Sequence, residues 1–331
     1  MGGAKNHTEL ISAAYAESTW KKINCALNLY NKFCVSQGIV ASWPIPEQVL
    51  GDFINWATFI RKIKPSSIIS YISHLKLIHK LRKIDDSACD SFLCRTLIKG
   101  AENLQFYSIK KKHVKKTMTL PLLRLLGHSI ANSNWSVHSQ STVWACYTVA
   151  FFGSYRLGEL LPKNENGFNP HETLLWSDIK FIDADSIQIH SKITKNRNPG
   201  GEYVSLFAFP YNGCCPVAAL RHLAKISNAD DNKNTPVFKF SNGVNLTKNT
   251  LNKLIVSHLH PHIGNECFFY SCKSFRAALP SALASDPHSE YDRSIKQWGR
   301  WNSDAFERYL KLSHNARRKL FKKFSRVLRR R

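Results

Sequence analysis

Five lysines crowd into seven residues, Lys110-Lys111-Lys112-His113-Val114-Lys115-Lys116. Charges packed this closely repel one another and bring almost no apolar area to bury, so no core can run through them. The chain must therefore fold on either side of the run. Its 331 residues also fit about two domains. The boundaries read as a helical domain over 1–108, a basic linker over 109–118 and a second domain over 119–331. The run is either a solvated stretch or a linker touching a polyanion, and we favour the second.

Before the run, the apolar spacing is helical throughout. Trp20, Ile23, Leu27, Tyr30 and Cys34 recur at three- and four-residue intervals. Ser18-Thr19 offers a start and Gly38 a stop. Val49, Phe53, Trp56 and Ile60 mark a second helix. Pro65-Ser66-Ser67 opens a third, carrying Ile68, Ile72, Leu75 and Ile78, and a fourth is expected from Ser87 to about Asn103. Four helices with short joints make a small bundle.

After the run the pattern is mixed. Helices are expected over Leu120–Ile130, Val143–Phe152, Cys215–Ser227, Thr247–His260, Lys273–Ser285 and Ser303–Leu312. Alternation over Ser186–His190 and Tyr203–Phe207 predicts two strands. Between them Lys195-Asn196-Arg197-Asn198-Pro199-Gly200-Gly201 forms a turn-rich basic tip. The fold class is thus mainly α with a small antiparallel sheet.

Charge narrows the partner. Lys and Arg number 47 against 23 Asp and Glu, for a net +24. A polyanion is the simplest reason to tolerate that self-repulsion. No apolar run approaches the roughly 20 residues that span a bilayer, and the first residues lack the apolar stretch of a secretory signal. Nucleic acid is preferred over a membrane surface, and an intracellular location is expected. The nine cysteines are scattered, most in apolar surroundings as at Cys25, Cys34 and Cys146, and read as reduced core thiols. His258, His260, His262, Cys267 and Cys272 fit no common zinc spacing.

Four segments can carry chemistry. In Gly153-Ser154-Tyr155-Arg156-Leu157-Gly158-Glu159, Arg156 and Glu159 share a face if a helix starts there, so Glu159 could orient the guanidinium. In Ser271-Cys272-Lys273-Ser274-Phe275-Arg276, Lys273 and Arg276 are three apart at a helix start followed by apolar residues. Two cations there are expensive unless they face an anion such as phosphate. Ser303 can cap a short helix that puts Ala305, Phe306 and Tyr309 on one face. Lys192 and Lys195 stand on the hairpin, where a lysine can reach into a groove. Taken singly, each is equally a surface pair, a basic face, a core aromatic or a solvated loop.

In this order the segments resemble the tyrosine recombinase, or phage-integrase, family, from about Ser12 to His314. Gly153-Ser154-Tyr155-Arg156-Leu157-Gly158-Glu159 looks like its first arginine box. Trp176-Ser177-Asp178 is similar to its entry to the sheet, and Lys195 matches its hairpin lysine, with Lys192 possible. Lys273-Ser274-Phe275-Arg276 resembles the second box, and Gly299-Arg300-Trp301 followed by Tyr309 the last. Residues 18–100 are similar to the family's helical core-binding domain. The wording of Gly299–Phe306 looks most like the eukaryotic mobile-element branch of cryptons and DIRS-like retroelements. Two places depart from the pattern. Lys273 stands where the family usually has His, and Arg300 or Trp301 takes the His/Trp place.

The resemblance implies a site-specific recombinase or integrase working through a covalent 3′-phosphotyrosyl intermediate. Tyr309 would be the nucleophile and Lys195 the general acid. Arg156 and Arg276 would clamp the phosphate, with Glu159 supporting and Lys273, Trp301 and Arg300 completing the set. Double-stranded DNA would be met by Lys110, Lys111, Lys112, Lys115, Lys116, Lys192 and Arg197. The family implies a homotetramer on paired sites, with no metal, cofactor, membrane or small-molecule substrate. In a eukaryotic host the location would be nuclear. The tail from Asn315, with nine Lys or Arg in its last fifteen residues, could dock on a neighbouring subunit, touch phosphates or direct nuclear import. Two rivals stand beside this: a recombinase-derived DNA-binding protein without cleavage, favoured by Lys273, and a type IB topoisomerase-like enzyme.

Overall fold

Apolar stripes at helical spacing bury themselves only by meeting one another, and in the first hundred residues they do. The computed structural model describes residues 3–108, 115–192, 200–209 and 213–284, and divides into two units, Met1–Lys112 and His113–Arg331.

In the first unit, α1 (Gly3–Ala14) precedes α2 (Glu17–Gln37), which buries Ile23, Ala26, Tyr30, Phe33 and Cys34. It stops where expected. Gly38 turns left-handed at φ 65°, and the Ile39 N–H reaches back to the Cys34 carbonyl at 2.9 Å. Following α3 (Glu47–Asn55), α4 (Pro65–Arg82) starts on the expected proline and packs on α2. The rings of Tyr30, Phe33, Phe53 and Trp56 fill the centre, with neighbouring centroids 5.6–6.4 Å apart.

Three local expectations change. The helix through Val49 does not run on regularly to Ile60. From Trp56 it widens into a π turn over Trp56–Ile60, which leaves Ile60 70 % exposed. The fourth helix starts late. Ser87–Asp90 is a 3-10 turn, and α5 (Phe92–Ser108) follows Ser91, whose hydroxyl accepts the Cys94 N–H at 3.1 Å. Cys25 is exposed because it lies off the buried stripe of α2, whereas Cys34 and Cys146 are buried.

The second unit is built around α7 (Val137–Phe152), apolar on nearly every side and packed by α6 (Leu120–Ala131) and α9 (Pro216–Ile226). Gly127 on α6 admits the Trp144 ring, which a Cβ there would meet at 2.9 Å. A three-stranded antiparallel sheet follows in the order β1 (Ile179–Asp183), β2 (Ser186–Ser191), β3 (Glu202–Phe207). Ile187, Ile189 and Leu206 are its buried face. The central strand β2 and the edge strand β3 match the expected hairpin strands, and β1 is an addition that alternation could not reveal, because four of its five residues are exposed. The helix expected over Lys273–Ser285 is broken at Ala277 into α11 (Cys272–Arg276) and α12 (Ala278–Ala284), after α10 (Lys248–Ile263). The mainly helical fold with a small antiparallel sheet is the one expected. Residues 115–118 of the expected linker run along the second unit. The N–H groups of Lys116 and Met118 donate to the Phe269 and Ser274 carbonyls at 2.9 and 3.0 Å, and Met118 is buried.

Candidate active site

The end of α7 shapes the site. A Cβ at Gly153 would overlap the Tyr155 ring and come within 2.9 Å of the Val149 carbonyl oxygen, so only glycine fits. Tyr155 folds back under the helix, its N–H donating to the Ala150 carbonyl at 3.2 Å. The reversal puts Ser154 in the left-handed region at φ 47°, which costs a non-glycine residue roughly 1–2 kcal/mol. It also presents the Ser154 carbonyl to α11, where it accepts a hydrogen bond from Nη1 of Arg276, 122 residues away in the chain.

One residue past Tyr155, Arg156 opens α8 (Leu157–Leu160). Its Nη1 donates to Glu159 Oε1 at 2.9 Å, and its N–H approaches Glu159 Oε2 at 3.4 Å. Glu159 is buried, whereas the Arg156 side chain is 39 % exposed. A buried carboxylate thus holds a guanidinium whose other edge remains open, as the sequence spacing predicts. Arg276 is only 5 % exposed. The two arginines are joined through three residues of backbone, and a fixed pair of forked cations is suited to an oxyanion with several oxygens.

Packing sets α11 in place. Phe275 stacks on Tyr147 of α7, with centroids 5.5 Å apart and planes at 11°. The Cys272 N–H donates to Asn252 Oδ1 on α10 at 2.8 Å, and the Ser271 N–H to Ser274 Oγ at 3.1 Å. Burial pushes the Cys272 thiol up to about 12, so it is not a nucleophile here. Lys273 and Arg276, expected together at a buried helix start, differ: Lys273 is exposed and Arg276 buried.

The lysines are not equivalent. Lys192, at the end of β2, gives its ammonium to Asp178 Oδ2 at 2.6 Å, the Pro170 carbonyl at 2.8 Å and the Thr173 carbonyl at 3.3 Å. Lys115 donates to the Phe268 carbonyl at 2.7 Å, and Lys116 pairs with Glu266 at 2.6 Å. Lys110, Lys111, Lys112, Lys195, Arg197, Arg300, Trp301 and Tyr309 lie outside the described residues.

His258, one of the five His and Cys residues that fit no common zinc spacing, is a core histidine. It packs on Trp135 and Tyr147, and burial drops its pKa to about 4. Among the described residues no three His, Cys, Asp or Glu side chains gather as a metal would require, and no helix is long and apolar enough to cross a membrane. Two contributors carry no site role in the sequence reading, the Ser154 carbonyl and the carboxylate of Asp178, which is read there only as part of the entry to the sheet. An aspartate three residues into a turn, accepting the Leu175 N–H at 2.8 Å, is the one local signal either left.

No protein-family model matches the sequence, and no curated protein matches it significantly. Solved structures do match. The XerH site-specific recombinase bound to its difH substrate, in a pre-cleavage complex, superposes with a TM-score of 0.56 at 14 % identity, covering 91 % of this chain and 78 % of that one. A lambda integrase dimer bound to a core site gives 0.53 at 11 % identity, covering 93 % and 75 %. The Tn1549 transposon integrase with circular-intermediate DNA gives 0.53 at 12 % identity, covering 89 % and 98 %. The chain therefore has the fold of the tyrosine recombinases and integrases, a mainly helical architecture with a small antiparallel sheet.

Proposed function

We propose that the protein is a site-specific DNA recombinase or integrase that cleaves and rejoins DNA strands through Tyr309. One observation carries the proposal. The segments bearing Arg156 and Arg276 meet through the Arg276–Ser154 hydrogen bond, inside a fold shared with recombinases solved on DNA.

The chemistry then follows from charge and reach. The Tyr309 oxygen attacks phosphorus, the bond from phosphorus to the 5′ oxygen breaks, and a 3′-phosphotyrosyl link forms. The phenol loses its proton to solvent and Lys195 gives one to the departing 5′ oxygen, so no net proton is consumed. Arg156 and Arg276 neutralise the non-bridging oxygens as charge builds in the transition state. Lys273 can add a donor, but its reference pKa near 10.4 makes it a poor base. Trp301 or Arg300 completes the shell. Attack by a 5′ hydroxyl from a second broken strand reverses the step, so exchange between two duplexes calls for four copies. The net charge of +24 supplies the attraction to duplex DNA, which should fall steeply with salt. The branch of eukaryotic mobile elements remains the one its last motif resembles.

A nicked suicide duplex tests this. Wild type should form a covalent DNA adduct that survives denaturation, and Tyr309→Phe should bind DNA without forming it. An adduct that persists in Tyr309→Phe removes Tyr309 as nucleophile. DNA binding without an adduct in wild type would instead favour a recombinase-derived binding protein.

A further inference from the structure

We infer that Asn252 is a positioning residue for Arg276 and acts through the start of α11. This rests on the function proposed above, in which Arg276 clamps the scissile phosphate.

The case starts from how little α11 can do for itself. It has five residues, and a helix that short does not hold its own shape. Its first N–H groups have no partner within the helix either. Contacts from other elements set it in place. The Phe275 ring lies on Tyr147 of α7, and the Ser274 carbonyl accepts the Met118 N–H at 3.0 Å. Both act on the second half of the helix. Its start is held by Asn252 on α10, whose Oδ1 accepts the Cys272 N–H at 2.8 Å. Cys272 is buried, so loss of that acceptor leaves a buried N–H unpaired.

The element that carries Asn252 is firm. Thr247 caps α10, its Oγ1 accepting the Thr250 N–H at 3.3 Å, and the helix buries Leu251, Ile255, His258 and Leu259. Asn252 stands at the edge of that stripe, half-buried. Asparagine is a poorer helix former than leucine, so helix preference gives no reason for an amide at this place. Geometry carries its effect to the arginine. Arg276 follows Cys272 by four residues, about 6 Å along a helix axis, and the helix breaks at Ala277 directly after it. The hydrogen bond from Arg276 to the Ser154 carbonyl depends on where that turn points. A misplacement of about 1 Å, caused from a distance, can cost on the order of 100-fold in rate.

The stereochemistry of the phosphate separates positioning from mere folding. Replacing one non-bridging oxygen of the scissile phosphate by a methyl group removes its negative charge and gives two diastereomers. One of them lacks the oxygen that Arg276 holds, so a defect confined to Arg276 shrinks most on that one. Single-turnover cleavage of suicide duplexes carrying the phosphate or either methylphosphonate reads this. Arg276→Ala is the control and identifies the diastereomer. Asn252→Leu keeps the size but not the acceptor. It should slow the phosphate duplex by about 10- to 100-fold and leave DNA affinity within about twofold. On the diastereomer that rescues Arg276→Ala it should stay within about threefold of wild type. Asn252→Ser, too short to reach Cys272, should show the same selectivity. Asn252→Asp restores an acceptor oxygen and should return the phosphate duplex to within about threefold of wild type. Thermal melting checks that each variant is folded. If Asn252→Leu and Asn252→Ser slow all three duplexes alike, or none, or if Asn252→Asp recovers nothing, the positioning role is overturned and Arg276 keeps its place in the clamp. If Arg276→Ala slows all three alike, the clamp assignment falls and the positioning role falls with it. A wild type that forms no adduct removes the recombinase reading and this inference together.

Discussion

The two units bury different things. Among the described residues of the first, His79 is the single buried polar or charged side chain, and it is satisfied on both nitrogens: one bonds the Leu75 carbonyl at 2.8 Å and the other accepts the Ile45 N–H at 3.0 Å. The second buries Glu159, Asp178 and Arg276 as well as a run of serines, threonines and an asparagine. Burying charge is expensive unless it is paired. A chain that needed only stability would build both units like the first. The second gives up apolar packing around Arg156, Arg276 and Lys192, and those are the places where fixed charge can do chemistry.

The sharpest test removes a buried charge. Arg276→Ala should lower adduct formation by about 10³-fold or more, the upper range for losing one preorganised donor to a developing oxyanion. Arg276→Lys should recover little, because a lysine cannot copy the fork. Single-turnover cleavage of the suicide duplex reads both, and a loss below about tenfold would remove Arg276 from the phosphate clamp. In the first unit the largest effect should fall on stability instead. Phe53→Ala empties the centre of the aromatic cluster and should cost about 3–5 kcal/mol in urea unfolding. A cost under 1 kcal/mol would mean that the cluster is not what holds the unit together.

Acid should distinguish the units too. His258 has a folded pKa of about 4 against an ordinary 6.5, because burial disfavours its charged form. Between those values the unfolded chain binds a proton that the folded one refuses. Stability is therefore fully present above about pH 6.5, is lost as pH falls toward 4, and levels off below, for a total on the order of 3 kcal/mol. His258→Phe should flatten that part of the pH profile of urea midpoints; an unchanged slope would exclude His258 as its source. The smallest effect is a gain. Ser154 holds a left-handed φ, and its buried hydroxyl finds no partner among the described residues. Ser154→Gly should relieve both and raise stability by about 1 kcal/mol, a melting shift of roughly 2–4 °C. A fall in melting temperature would show that the hydroxyl is paired.

Much of the first unit was legible because its signals are local. Pro65 starts α4 and Gly38 ends α2 through backbone preferences that belong to those residues alone. The π turn after Asn55 was not legible, since apolar residues at Trp56 and Ile60 read the same whether the turn closes over four residues or five. Nor was α1, whose residues His7–Ala14 all face solvent and carry no stripe. In the site, the Arg156–Glu159 pair was legible from a three-residue spacing on one helical turn. The different fates of Lys273 and Arg276 were not, because the same spacing puts both on one face and cannot say which end of it the core covers.

The sequence by itself determined the division at the lysine run, the helical character of the first hundred residues, the hairpin and the Arg156–Glu159 pair. Only the tertiary structure decided that Arg276 would reach Ser154, that the Lys192 ammonium would be bound to Asp178, and that Lys115 and Lys116 would pair along the second unit. Helix starts, stops and alternation follow from steric and hydrogen-bond preferences within a few residues. Which acceptor a cation finds, and how much water it keeps, depends on groups scores of residues away that meet only when the core closes.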